Sequence, residues 1–144
     1  MSSKYTVKLS TLAAEQGLRA IHTSAAYADR VLTTADINRP ALQLAGFYNY
    51  FDPKRLQAIG RVESTYLETL SEAARQKSFD DFMIFDIAAL VVCHGVEPFP
   101  ECVAAAEKYG RNLFVTEEDT SDFMADSIAS LHNYLAPRTT QHGV

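Results

Sequence analysis

A three-layer α/β/α domain with a parallel or mixed sheet is what this sequence predicts, on three observations. Residues 87–93, Ile-Ala-Ala-Leu-Val-Val-Cys, are continuously apolar, as expected of a strand covered on both faces by helices. Strand, loop, helix, glycine and strand then follow in order from Ile87 to Val115, a βαβ unit whose crossover makes its strands parallel and right-handed. Met124, Ile128, Leu131 and Leu135 recur at helical spacing, which gives a last helix with one apolar face.

The remaining elements follow along the chain. Tyr5-Thr6-Val7-Lys8-Leu9 alternates apolar and polar side chains and reads as a half-buried strand. Ser10 then caps a short helix over 11–16, stopped at Gly17. Residues 18–22 form a second strand and Val31-Leu32 a short third one, at the end of a surface excursion. Asp36-Ile37-Asn38-Arg39-Pro40 reads as a turn, because Pro40 biases Arg39 away from helical angles and the Asp36 and Asn38 side chains can bond nearby amides. Residues 42–51 hold the densest aromatic cluster, closed by a second turn at Asp52-Pro53. A strand over 56–59 ends at Gly60, and Ser64 or Thr65 caps a helix carrying Tyr66, Leu67 and Leu70. Residues 71–82 make a further helix whose apolar stripe is Phe79, Phe82 and Met83. After the central strand, residues 101–109 are helical up to Gly110, and 112–115 form a strand. Glu117, Glu118, Asp119 and the Thr120 hydroxyl mark the start of the last helix, which ends before Pro137. Ala136 to Val144 reads as a linker and the opening of a new strand. The expected organisation is therefore a domain at 1–135, then 136–144 as the first residues of a C-terminal domain.

Composition narrows the function. At 144 residues, with 47% hydrophobic and 22% charged residues, the chain can bury a core and is neither disordered nor fibrous. A net charge of −5 disfavours nucleic acid, whose binders work largely through Lys and Arg. Cys93 and Cys102 lack flanking metal-ligand patterns and suit reduced thiols. No apolar signal region opens the chain, and no apolar run approaches the ~20 residues that span a bilayer. A cytoplasmic protein with no membrane partner is expected.

Candidate chemistry is thin. Cys93-His94 ends the central strand, where ligands gather in open α/β sheets. Neighbours on a strand point to opposite faces, however, and a buried structural thiol is the better reading of Cys93. Zinc on Cys93, Cys102 and His94 lacks a fourth ligand. Glu117, Glu118 and Asp119 are explained by the helix they precede. Each of the six glycines stands alone, so the chain contains no glycine-rich phosphate loop. Phe47, Tyr48, Tyr50 and Phe51 read as core or protein interface rather than a stacking platform for bases. Asp36, Asn38 and Arg39 form the densest polar motif; a turn held by its own side chains competes there with a ligand contact through Arg39.

Several of these stretches carry a family resemblance. Thr34-Ala35-Asp36-Ile37-Asn38-Arg39-Pro40, Leu42-Gln43-Leu44-Ala45-Gly46-Phe47 through Tyr50-Phe51, and Ile59-Gly60-Arg61-Val62-Glu63 with Tyr66-Leu67 resemble the N-terminal part of HPr kinase/phosphorylase. The likeness extends through residues 97–110 and 135–144; Ala35 for the family's usual serine and Ala41 for its usual glycine are mild departures. The resemblance implies an N-terminal domain folded like the first domain of the MurF ligases. It also implies a C-terminal kinase domain with the P-loop, ATP and magnesium, none of which this stretch would hold. It further implies HPr as the parent enzyme's substrate in carbon catabolite control, and a homo-oligomer built mainly through the kinase domains. Only His142 matches a family active-site position, as a catalytic residue of the whole enzyme. On this reading the chain is a non-catalytic regulatory or assembly domain. The competing readings are a stand-alone small-anion sensor using Asp36, Asn38 and Arg39, a protein-interaction domain, and a small enzyme built on Cys93 and His94.

Overall fold

A computed structural model describes residues 5–137; His142 and the rest of 138–144 lie outside the described residues. Five strands form one mixed sheet in the order β2-β7-β6-β5-β4. These are β2 (Arg19–His22), β4 (Ile37–Asn38), β5 (Leu56–Ile59), β6 (Ala89–Val92) and β7 (Leu113–Val115). β4 through β7 are parallel, and β2 closes one edge antiparallel to β7. A separate two-stranded ribbon joins β1 (Val7–Lys8) to β3 (Val31–Leu32).

The topology assigns the helices to their faces. Each step from β4 to β7 moves one place across the sheet in the same direction, so right-handed crossovers put every intervening helix on one side. That side holds α2 (Ala41–Leu44), α3 (Arg61–Glu68), α4 (Glu72–Met83) and α5 (Pro100–Tyr109). They pack Leu44, Leu67, Phe79, Phe82 and Ala105 on Ile59, Leu90, Val92 and Leu113. The other face is covered by what precedes β4 and follows β7: the ribbon, α1 (Leu9–Glu15) and α6 (Thr120–Leu135). There Leu9, Leu12, Phe123 and Leu131 meet Leu56, Ala58, Ala89, Val91 and Phe114. Alternation along β6 feeds Ala89, Val91 and Cys93 to one core and Leu90 and Val92 to the other. Each fully buried Leu, Val or Phe contributes about 1.5–3 kcal/mol.

Several elements differ from the sequence reading, for local reasons. Residues 37–38 are strand rather than turn: Ile37 pairs with Leu56 and Asn38 with Gln57, at an edge where Pro40 follows the strand and interrupts nothing. Leu9 is the first residue of α1 rather than a strand residue, and its N–H donates to Arg30 O at 2.9 Å, so Ser10 lies inside the helix. The N-cap of α3 is Gly60, upstream of Ser64 and Thr65, because the Glu63 carboxylate accepts the Gly60 N–H at 2.9 Å, one half of a capping box. Ser71, read as the first helical residue, is instead the N-cap of α4 and accepts the Ala74 N–H at 3.1 Å, and Gly110 ends α5 as expected, in the left-handed conformation at φ 70°.

The aromatic cluster divides. Tyr48 stacks on Phe85 at 5.0 Å and Phe51 meets the same ring edge-on at 5.2 Å, whereas Phe47 and Tyr50 are exposed. The last helix buries Phe123, Ser127, Leu131 and Leu135, with Met124 and Ile128 flanking them.

Candidate functional site

Four parallel strands deliver their carboxyl ends to one edge of the sheet, and most polar contacts of interest lie there. β4 brings Asn38 and Arg39, β5 brings Gly60, β6 brings Cys93 and His94, and the segment after β7 brings Glu117 through Thr120.

Asn38 and Arg39 are tied into the domain. The Asn38 amide donates to Gln57 Oε1 at 2.8 Å and to Gln43 Oε1 at 3.0 Å, which satisfies a glutamine buried in β5. Arg39 grips Glu63 in bidentate fashion, Nε to Oε2 at 2.9 Å and Nη2 to Oε1 at 2.8 Å. Glu63 is buried, which by itself raises a carboxyl's pKa. The Arg39 hydrogen bonds, the Gly60 N–H and the Arg39 charge outweigh this and hold it below the usual range. Asp36 stands elsewhere: it is exposed, its N–H donates to Thr34 Oγ1 at 3.2 Å, and it lines a different groove with Thr33, His132 and Leu135. The three residues of the polar motif therefore do not converge on one point.

Cys93 and His94 part company. Cys93 is buried, and burial pushes its thiol up to about 12 despite a hydrogen bond with Thr120 and the Arg39 charge nearby. His94 turns away, with its Nδ1 paired to Asp119 Oδ1 at 2.5 Å. Its backbone is left-handed at φ 65°, as is Gly95 at φ 65°, a region other residues seldom enter. That turn aims two consecutive N–H groups at the β7–α6 segment, His94 to Glu118 O at 2.8 Å and Gly95 to Thr116 O at 3.0 Å. Gly60 makes the closest approach at this edge, since a Cβ there would lie 2.1 Å from Thr120 Oγ1.

The acidic run has a finer structure than a helix-start reading gives it. Asp119 is the N-cap of α6, yet its side chain caps nothing and goes to His94. A hydrogen bond shared with Asp126, then partial burial and the charges of Asp126, Asp122 and Asp119, push Glu118 up to about 7. No group of three or more His, Cys, Asp or Glu among the described residues has the arrangement to hold a metal ion. The pairs Arg39–Glu63 and His94–Asp119 link residues 24 and 25 positions apart, so sequence adjacency gave no sign of them. Glu63, three residues after Gly60, was the one available signal, as a capping-box position.

Comparison with known proteins supplies what the geometry lacks. HPr kinase/phosphorylase of Clostridium perfringens strain 13 is 43% identical over 115 residues, covering 78% of this chain and 37% of that protein. The namesake enzyme of Lachnoclostridium phytofermentans is 37% identical over 140 residues, covering 97% and 45%. The chain thus spans less than half the length of these relatives. A crystal structure of the CBS and DRTGG domains of the regulatory region of Clostridium perfringens pyrophosphatase, complexed with its activator diadenosine tetraphosphate, shares the fold. Its TM-score is 0.60 at 16% identity, over 86% of this chain and 47% of that one. The family model described as HPr Serine kinase N terminus matches residues 7–135, nearly the whole of the described domain, and the chain belongs to that family.

Proposed function

We propose that this domain acts as a non-catalytic regulatory or assembly module of an HPr kinase/phosphorylase, which phosphorylates and dephosphorylates a serine of HPr in carbon catabolite control. The family match over residues 7–135 carries the reading. The sheet's carboxyl edge supports its non-catalytic part. The thiol there is buried and held protonated, and the best hydrogen-bonding side chains, Asn38 and Arg39, are engaged by Gln43, Gln57 and Glu63. ATP and magnesium belong on this reading to a C-terminal kinase domain, as does the catalytic role of His142. The partners are HPr, the kinase domain and further copies of the enzyme, in the cytoplasm. No helix among the described residues is long and apolar enough to cross a membrane.

A phosphotransfer assay tests the proposal. The 144-residue chain, incubated with HPr, ATP and magnesium, is expected to leave HPr unmodified above background. Turnover that co-purifies with the folded chain refutes the non-catalytic reading.

A further inference from the structure

We propose that the cleft between the starts of α3 and α6 binds a phosphoryl dianion, either inorganic phosphate or the phosphate of a small monoester, through Arg39, Arg61 and His94. The inference stands on the geometry of this chain and is independent of the role proposed above.

The cleft has a volume of about 200 Å³, and its polar lining is Arg39, Arg61, His94, Asp119, Thr120 and Ser121. It lies outside the carboxyl ends of parallel strands, the place where open α/β sheets receive ligands. Three side chains give it anion chemistry. Arg39 has Nε and Nη2 on Glu63, which fixes the guanidinium plane and leaves Nη1 for a ligand oxygen. Arg61, the first residue of α3, is exposed, lines the cleft and makes no ion pair among the described residues, so no carboxylate competes with a phosphate for its guanidinium. Planar, permanently charged guanidinium groups suit tetrahedral oxyanions. His94 has Nδ1 held by Asp119, and its Nε2 has no partner among the described residues. Nε2 can accept from the P–OH of hydrogen phosphate or, on a protonated ring, donate to a P–O oxygen of either ligand.

The acidic neighbours do not cancel this chemistry. Asp119 Oδ1 is engaged by His94 Nδ1, and Glu63 is buried against Arg39. The hydrogen bond that Glu118 shares with Asp126 raises its pKa, which favours one shared proton over two full charges. The three side chains carry the site. The positive ends of α3 and α6 beside them add to it, and the start of α6 has no side-chain cap competing for its N–H groups.

The test is a titration of the 144-residue chain with inorganic phosphate, followed by backbone amide resonances and by melting temperature at ionic strength matched with sodium chloride. Saturable shifts are expected at residues 61–62, 94 and 119–121, together with a rise in melting temperature. Arg61→Ala should melt like the wild type without phosphate and bind it roughly tenfold more weakly, the loss of one charge-assisted contact. His94→Asn, which tolerates a left-handed backbone, should weaken binding independently. A parallel titration with methyl phosphate separates the sources: tighter binding than phosphate favours a monoester, and weaker binding favours the free ion. The proposal is overturned if no saturable shift occurs, if the shifts map away from the cleft, or if Arg61→Ala binds phosphate as well as the wild type.

Discussion

Glu63→Gln is the sharpest test of how the carboxyl edge is held. In the native domain the Glu63 carboxylate accepts three hydrogen bonds, two from Arg39 and one from the Gly60 N–H, while its side chain is only 2% exposed. Glutamine has nearly the same shape but removes the charge and turns one acceptor into a donor facing a guanidinium. Breaking a buried ion pair by removing one partner costs about 3–5 kcal/mol. The other partner decides where in that range the loss falls. Arg39 is 37% exposed and regains water when released, so the expected cost is lower, about 2–3 kcal/mol. For a domain of this size that lowers the melting temperature by roughly 5–10 °C. Urea unfolding followed by circular dichroism measures the free energy directly. A change within about 0.5 kcal/mol of wild type, the usual range for an indifferent surface substitution, refutes the account of the pair.

The same pair fixes a pH dependence. Because the folded-state pKa of Glu63 is lowered, the unfolded chain binds more protons in the window between the two values, and stability rises with pH there. The contribution is complete above the unfolded carboxyl's pKa of about 4.3 and is lost as pH falls through the lower folded value. Glu63→Gln should therefore flatten the acid limb of the stability curve, whereas an unchanged limb would assign that limb to other carboxylates. A double-mutant cycle with Arg39→Met should show a coupling of about 1–3 kcal/mol.

Other substitutions probe the neighbouring contacts. Gly60→Ala places a methyl 2.1 Å from Thr120 Oγ1 and should destabilise by about 1–3 kcal/mol through overpacking. Adding Thr120→Ala removes the clashing oxygen and should restore part of the loss, and absence of rescue in urea melts would locate the strain elsewhere. Cys93, pushed up to about 12, and Cys102, pushed higher still by complete burial, should resist a disulfide-exchange reagent at pH 8 in the folded chain. Both should label rapidly in denaturant; fast labelling of the native protein would contradict the buried-thiol account.

What the sequence disclosed depended on whether the physics at each position was local. The β6 region was legible because residues 87–93 are apolar without interruption, and α4 because Phe79, Phe82 and Met83 share one stripe. β4 was not legible: it is two residues long, and its polar Asn38 is there to satisfy buried Gln57 from the adjacent strand, so it imitates a turn. The start of α3 was misplaced because hydroxyls at Ser64 and Thr65 advertise a cap more loudly than a glycine does. Glu63 supplies the cap from inside the helix instead. The start of α6 was misread in the same way: the Thr120 hydroxyl reads as a cap, but Thr120 is the first helical residue, no side chain caps the helix, and its N-cap Asp119 pairs with His94.

The site at the carboxyl edge was illegible for a topological reason. A single face change creates it. The crossovers from β4 to β7 keep α2 through α5 on one side, and only after β7 does the chain cross to the other side to begin α6. α3 and α6 thus start from opposite faces of the same strand ends, and the cleft that Arg39, Arg61 and His94 line is the gap between them. Beside it Gly60 and Thr120 meet too closely for a Cβ at Gly60, and Cys93 is buried at the end of β6. Every residue at that edge satisfies an ordinary local role in its own segment, as strand end, helix start or loop. The combination exists only once β5, β6 and β7 lie parallel and in register. An anion-binding function at this edge would therefore depend on sheet order more than on any short motif. Substitutions that loosen the β5–β6–β7 packing away from the cleft, such as Leu131→Ala on the buried face of α6, should weaken phosphate binding together with stability, whereas Arg61→Ala should separate the two.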